Sequence, residues 1–173
     1  MMLNFLLLTV FLFFPAQSWG DNMIKEPNVA GAFYSANPDE LSNFIEYYKK
    51  SADAPDNRKV EIAIAPHAGY PYSGPIAAYT FKAIARNNYK TVVIIGPSHY
   101  FPFEGISVWP SGGFKTPLGT VPIDEDFAKA LLKQNPKFQF LPNVFEREHA
   151  IEVVKATPGG PESVRTTAGA GRS

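Results

Sequence analysis

The fold is decided by two stretches of this chain, VEIAIAPHAGY at residues 60–70 and TVVIIGPSHY at residues 91–100. Each contains a short apolar run that is rich in β-branched residues and closed by Pro or Gly, which is typical of a buried parallel strand. Between them, Ser73 is a candidate helix cap, and apolar residues recur behind it at helical spacing. The predicted helix face consists of Ile76, Tyr79, Thr80, Ala83 and Ile84. We therefore predict a βαβ unit within an α/β fold, whose central, mostly parallel sheet is flanked by helices.

Histidines follow both predicted strands directly, His67 after the first and His99 after the second. The carboxyl ends of neighbouring parallel strands lie side by side, and open α/β sheets bind ligands beyond those ends. We therefore expect both imidazoles to face one crevice, although a single histidine after a strand is usually a hydrogen-bonded turn residue. His149 is the third histidine of the chain and opens a candidate helix, where a surface residue is the alternative interpretation.

The available donor atoms point to a transition metal. Imidazole suits iron, copper, zinc and nickel, and the chain has no cysteine that could add a thiolate. Two histidines and one carboxylate with open positions form the arrangement of non-haem iron sites. Glu148, Glu152 or Asp124 could supply that oxygen, and the sequence does not choose among them.

Other residues near the histidines permit several interpretations. Ser98 beside His99 raises a hydrolase alternative, but the Gly-x-Ser-x-Gly turn of such enzymes does not surround it. Gly69 and Gly74 are interpreted as turn residues that need backbone freedom. Five aromatic residues either wall a pocket or belong to core and rim: Tyr70, Tyr72, Tyr100, Phe101 and Phe103.

A further helix is predicted from residue 37 onward. Asn37 can cap it, Pro38 suits the first helical position, and Glu40 stands where a capping box places its acid. The predicted buried face consists of Leu41, Phe44, Ile45 and Tyr48.

The two ends of the chain differ in composition from the middle. Residues 3–14 are almost wholly apolar but shorter than the roughly 17 residues that span a bilayer, and small residues follow them. We interpret residues 1–20 as a signal peptide cleaved after Ser18 or Gly20, which implies export to the periplasm or secretion; without it the protein would be cytoplasmic. Because no Lys or Arg precedes the apolar run, an uncleaved anchor is the alternative. Residues 21–154 form the predicted α/β domain, and residues 155–173 are predicted to be disordered.

The charge balance excludes two classes of partner. The chain has 16 Lys and Arg residues and 16 Asp and Glu residues, so its formal net charge is zero. We therefore expect neither a nucleic-acid groove nor a polybasic membrane patch. No stable membrane span is expected either, because the apolar run at residues 3–14 is too short. A small molecule or a peptide is the expected partner.

Five groups of residues, in order along the chain, resemble the MEMO family (mediator of cell motility), including its bacterial relatives, the AmmeMemoRadiSam system protein B group. The matching stretches are EPNVAGAFY at 26–34, PHAGY with YSGP at 66–75, GPSH at 96–99, TPLGTV at 116–121 and EHAIEV at 148–153. They cover roughly the N-terminal half of a family domain, and residues 154–173 match nothing in it.

The resemblance implies a fold similar to the LigB-like class III extradiol dioxygenases. It also implies that His67, His99 and His149 match the family's metal ligands and are the catalytic residues, with iron or copper as the divalent metal. The implied activity is redox or dioxygenase-like chemistry on an unknown small substrate. The alternatives are a non-catalytic peptide- or anion-binding module with a vestigial metal site, and an inactive truncated fragment.

The sequence also departs from the family pattern. Tyr100 stands where the family usually has a second histidine, directly after the one that His99 matches. The cysteine that animal members place in the metal site is absent. The C-terminal half of the family domain is also unmatched, and we expect weak or no activity from the chain in this truncated form.

Overall fold

Helices and strands alternate along the chain in the computed structural model, which describes residues 23–53, 59–156 and 167–170. The helices of these residues are α1 (Pro38–Ser51), α2 (Tyr70–Ile84), α3 (Glu125–Gln134), α4 (Pro142–Phe145) and α5 (Ala150–Lys155). Their strands are β1 (Ile24–Lys25), β2 (Ile94–Pro97), β3 (Ile106–Val108), β4 (Gly113–Thr116), β5 (Gly119–Pro122), β6 (Phe138–Gln139) and β7 (Thr167–Ala170).

The strands form two sheets, with the order β2-β7-β3-β6 in the larger and β1-β4-β5 in the smaller. In the larger sheet β2 and β7 are parallel, as are β3 and β6, whereas β3 and β7 are antiparallel. In the smaller sheet β1 is parallel to β4, and β4 forms an antiparallel pair with β5. Helices joined to mixed sheets confirm the predicted α/β class.

The predicted first strand, residues 60–66, is wrong. This segment pairs with no strand in the described part of the chain, and Ile62 and Ile64 are 91% and 90% exposed rather than buried. A side chain holds it instead, because Thr80 Oγ1 donates a hydrogen bond to the Ile64 carbonyl at 3.0 Å. An apolar, β-branched run becomes a strand only where a neighbouring edge pairs with its backbone, and no described strand pairs with this segment.

The cap of α1 by Asn37 and the place of Pro38 at the first helical position are confirmed, but the capping box is not, because the Asn37 N–H donates to Ser35 Oγ and Glu40 Oε2 accepts from that hydroxyl instead. Asn37 Oδ1 accepts hydrogen bonds from the backbone N–H groups of Asp39 and Glu40, at 2.9 and 3.1 Å. These bonds satisfy two of the amides that a helix leaves without an intrahelical partner. Of the predicted buried face of α1, Leu41 and Ile45 are buried.

The predicted boundary and buried face of α2 are corrected. The helix begins at Tyr70, so Ser73 lies inside its first turn and is not the cap. Ile76 from the predicted face is 61% exposed. Gly74 lies within the helix rather than in a turn. A glycine is needed there because α2 packs closely on α1, and a Cβ at this position would be 2.7 Å from Phe44 Cε1. The residues buried instead are Tyr70, Ser73, Ala77, Ala78 and Phe81.

The last described segment corrects the prediction of a wholly disordered tail. Thr167–Ala170 forms β7, which pairs with β2 on one side and with β3 on the other. Two unpaired strand edges supply the backbone hydrogen bonds that a run of small residues needs. The remaining tail residues from 157 onward, like the predicted signal peptide, lie outside the described residues.

Two hydrophobic cores meet at α5. Ile151 is 3% exposed in the core that contains Trp109 and Phe114, and Val153 is 1% exposed in the core that contains Tyr34. The short helix is therefore held from both sides, which fixes the position of its first residues. No helix among the described residues combines the length and apolar character needed to cross a membrane.

We predict that Ile151→Ala lowers the free energy of unfolding by about 2–5 kcal/mol, because it opens a cavity between α5 and the larger core. Urea denaturation measures this change. Ile76→Ala removes the same atoms from a side chain that is 61% exposed, and its expected effect is within about 0.5 kcal/mol. Equal losses in the two variants would show that α5 is not packed as described.

Candidate metal centre

Three different elements bring the three histidines together. His67 lies in the turn before α2, His99 follows β2, and His149 is the residue before α5. The ring centroids of His67 and His99 are 5.4 Å apart, those of His67 and His149 are 6.3 Å apart, and those of His99 and His149 are 4.6 Å apart. The imidazoles therefore share one small space, as the sequence predicted for His67 and His99.

The turn that carries His67 is held without a strand before it, which corrects the predicted origin of this residue at a strand end. The N–H of Tyr70 donates a hydrogen bond to the Phe33 carbonyl at 2.7 Å. The hydroxyl of Ser73 donates to the Ala68 carbonyl, also at 2.7 Å. These bonds fix the turn to the start of α2 and to the N-terminal segment.

The carboxylate of Glu148 joins the two other histidine-bearing elements. Its Oε2 accepts from the backbone N–H of His99 at 2.6 Å, and its Oε1 lies 2.8 Å from His99 Nδ1. The same Oε1 accepts from the backbone N–H groups of His149 and Ala150, both at 2.8 Å. Because a carboxylate only accepts, the Nδ1 of His99 carries the proton, and its Nε2 keeps the lone pair that a metal binds.

The buried surroundings favour neutral imidazoles and a charged carboxylate. Burial lowers the pKa of His67, and the neighbouring imidazoles lower it further. Burial is also the largest cause that lowers the pKa of His149. Burial by itself raises the pKa of Glu148, but the hydrogen bonds from Ala150 and His99 outweigh it, and the pKa is lowered. Neutral imidazole is the form that coordinates metal ions.

Glu152 is occupied elsewhere, although its sequence position made it a candidate ligand. Its Oε2 accepts from the N–H of Asn28 at 2.7 Å, and its Oε1 accepts from the N–H of Val29 and the hydroxyl of Tyr34 at 2.9 and 2.6 Å. Burial and this bond to Glu152 raise the pKa of the Tyr34 hydroxyl. Glu152 thus ties α5 to the N-terminal segment.

Asp124, the third candidate, serves α3. Its Oδ1 accepts from the N–H of Phe127 at 3.2 Å, as a helix cap does, and its Oδ2 accepts from Thr91 Oγ1 at 2.6 Å. Of the three carboxylates considered, Glu148 is therefore the one that lies against the imidazoles. Since its oxygens already accept four hydrogen bonds, it fits the role of a group that orients His99 better than that of a direct ligand.

The arrangement of donor atoms fits a metal ion. His99, Glu148 and His149 each offer one ligand atom, and these atoms all lie within 4.8 Å of one another, so this group could hold an ion. His67 is not a member of this group, although its ring lies next to those of His99 and His149. The Nδ1 of His149 is buried and has no hydrogen-bond partner among the described residues. It lies 3.9 Å from Glu148 Oε1, which is beyond hydrogen-bond range. Buried polar atoms normally have a protein, water or ion partner, so this nitrogen suits a site with a bound ligand.

Aromatic rings flank the imidazoles. The centroid of the Tyr100 ring lies 6.2 Å from that of His99 and 5.9 Å from that of His149. The ring of Phe33 meets His149 edge-on at 4.9 Å. Sequence reasoning missed Phe33 as a site residue, and the available signal was its place in the stretch EPNVAGAFY.

The other aromatic residues considered as a pocket wall have different positions. Tyr70 is buried against Tyr34 in the core, Tyr72 is 84% exposed, and Phe103 packs on the larger core. Phe101 is partly exposed and accepts a hydrogen bond from Ser98 Oγ at 2.7 Å through its carbonyl. That bond directs the Ser98 hydroxyl to the backbone, which agrees with setting the hydrolase alternative aside.

We predict that Glu148→Gln lowers the free energy of unfolding by about 1–3 kcal/mol. The amide nitrogen that replaces one oxygen cannot accept, so at least one buried N–H group loses its partner. Thermal and urea denaturation measure the loss. Glu146→Gln is the control, because this exposed neighbour should change stability by no more than about 0.5 kcal/mol. A Glu148→Gln protein as stable as the control would contradict the bonding described.

Comparison with known proteins identifies relatives for most of the described chain. The family model described as "Memo-like protein" matches residues 25–156. A "MEMO1 family protein" of Caldivirga maquilingensis is 40% identical over 138 residues, which are 75% of this chain and 49% of that protein. Another, from Methanopyrus kandleri, is 38% identical over 140 residues, 76% of this chain and 50% of that protein. The relative from Thermotoga petrophila is 37% identical over 144 residues, which are 76% of this chain and 51% of that protein.

These figures also set the extent of the similarity. The chain spans about half the length of the curated relatives it matches. The matched residues 25–156 contain His67, His99, Glu148 and His149.

Proposed function

Because this chain belongs to the Memo-like protein family, we propose that it binds a divalent metal ion through His67, His99 and His149. The observation that carries the proposal is the gathering of the three imidazoles from separate elements, with centroids 4.6 to 6.3 Å apart. Two further observations support it. The pKa values of His67 and His149 are lowered, and the buried Nδ1 of His149 has no hydrogen-bond partner among the described residues.

Iron or copper is the proposed metal. Imidazole nitrogen suits both, and the nearby carboxylate of Glu148 adds the negative charge that a divalent cation needs. When bound, such a metal supplies a Lewis acid and an electron carrier for redox or dioxygenase-like chemistry on a small substrate. The role of Glu148 in that chemistry is to hold the ring of His99 in one orientation and one tautomer.

The walls of the site would position the substrate and limit water. Phe33 and Tyr100 present ring faces or edges next to the imidazoles. The side chain of His99 is 28% exposed, so a small molecule can reach the centre from solvent. Export of the protein remains a separate proposal, since the predicted signal peptide at residues 1–20 lies outside the described residues.

A non-catalytic anion- or peptide-binding function is the second candidate. The guanidinium carbon of Arg147 lies 4.8 Å from the centroid of the Tyr100 ring, so a positive charge stands at the rim of the site. A carboxylate or phosphate group would be attracted to this rim without any turnover.

We predict that the purified full chain binds iron or copper and that His67→Ala, His99→Ala and His149→Ala each lower the bound metal. Elemental analysis after equilibration with each metal gives the stoichiometry, and competition with a chelator gives the affinity. Glu148→Gln should weaken affinity by about 10- to 100-fold, as loss of a hydrogen-bonding partner of a ligand does. Unchanged stoichiometry in both His67→Ala and His99→Ala would rule out the proposed centre.

For catalysis, we predict that the metal-loaded chain consumes oxygen with a catechol only weakly, as expected for a chain that matches half of its relatives, and that His99→Ala abolishes this uptake. An oxygen electrode measures the rate, with metal-free protein and Glu146→Gln as the two controls. If uptake is absent while phosphate or a carboxylate peptide binds and Arg147→Ala weakens that binding, the non-catalytic function replaces the proposed one.

A further inference from the structure

The rim of the metal centre carries a positive charge that has no part in holding the metal. Arg147 is exposed, and its guanidinium carbon lies 4.8 Å from the centroid of the Tyr100 ring. Among the described residues, no carboxylate forms an ion pair with this guanidinium. Its N–H groups are therefore available to an anion that arrives from solvent.

Tyr100 connects this charge to the imidazoles. The centroid of its ring lies 5.9 Å from that of His149 and 6.2 Å from that of His99, and the guanidinium of Arg147 contacts the same ring. A guanidinium is attracted to the negative face of an aromatic ring, and this attraction restricts a long side chain that otherwise moves freely. The charge is therefore held one ring away from the proposed metal ligands.

The charges around the rim favour an anion with a single charge. Burial by itself raises the pKa of Glu148, but its hydrogen bonds lower it, so the carboxylate keeps its charge against His99. Glu146, next to Arg147 in sequence, is a second carboxylate and is exposed. A phosphate carries almost two charges near neutral pH, so these carboxylates repel it more strongly than they repel another carboxylate. A carboxylate also matches a guanidinium with two parallel hydrogen bonds.

Aromatic rings border the imidazoles as well. Tyr100 is 51% exposed, so about half of its surface remains open to a ligand. The ring of Phe33 meets that of His149 edge-on, with centroids 4.9 Å apart. Aromatic rings pack well against one another in offset or edge-to-face contact. These walls favour a substrate with a flat, unsaturated body.

We propose that the metal centre takes small aromatic carboxylates and that Arg147 is the residue that selects them. Donor groups at one end of the substrate bind the metal, and the carboxylate at the other end binds the guanidinium, with one ring between them alongside Tyr100. Tyr100 is a positioning residue, because it acts by holding Arg147. This inference rests on the proposed metal binding and adds the chemical class of the substrate.

The first experiment compares two ligands that differ in one charge, 3,4-dihydroxybenzoate and its methyl ester, on the full chain loaded with iron(III) under nitrogen. Coordination of a catechol to iron(III) produces a visible absorption band, so titration gives both dissociation constants without turnover. The acid should bind wild-type protein about tenfold more tightly than the ester, because only the acid pairs with the guanidinium. In Arg147→Met the two dissociation constants should differ by less than about twofold.

Matched variants separate this role from net charge and from packing. Lys133→Met removes one positive charge from the last turn of α3, which carries no residue of the site, and should leave the preference for the acid unchanged. Arg147→Lys keeps the charge without the planar pair of N–H groups and should keep only part of the preference. Tyr100→Leu should lower the preference to about threefold, whereas Tyr100→Phe keeps the ring and should retain the wild-type value.

Each failure has its own signature. A chain that binds no iron overturns the metal centre and this inference together. A chain that binds iron but shows the same ratio of the two dissociation constants in wild type and in Arg147→Met overturns the inference alone. The inference is also overturned if metal-free protein binds the acid as tightly as the loaded protein and Arg147→Met weakens that binding, a result that favours the non-catalytic anion-binding function.

Discussion

The carboxylate of Glu148 is the contact on which the arrangement of the site depends. It accepts hydrogen bonds from the backbone and the ring of His99 and from the first amides of α5, so one side chain joins the end of β2 to the start of a helix. Burying a charged group is costly unless its oxygens are satisfied, and here they accept four bonds. Two histidines from elements far apart in sequence are thereby held with ring centroids 4.6 Å apart.

Packing supplies the rest of the constraint. Ile151 and Val153 anchor α5 in two different cores, while Glu152 binds the N-terminal segment through Tyr34 and two backbone amides. Within the short run EHAIEV, the two residues that border the site, Glu148 and His149, are therefore followed directly by the residues that hold α5 in place. Its spacing has a structural reason at almost every position, independent of any catalytic role.

Local chemistry made part of this structure predictable from the sequence. The cap of α1 by Asn37 follows from a short motif. His67 does approach His99, as expected, but the expected reason was wrong, since no strand precedes His67. The first predicted strand failed because a strand depends on a partner edge, which no local pattern reveals. The place of Phe33 beside His149 depends on a contact between residues more than a hundred positions apart, so spacing alone could not indicate it. The choice of Glu148 over Glu152 likewise required the hydrogen bonds of both residues.

X-ray absorption spectroscopy of the full chain loaded with one equivalent of copper or iron tests most directly whether three imidazoles share one ion. The scattering of carbon atoms in the ring identifies imidazole ligands and counts them. The geometry predicts three imidazole ligands at a single metal, one from each of His67, His99 and His149. A spectrum with no more than one imidazole per metal would contradict the proposed centre and leave only the fold and its packing.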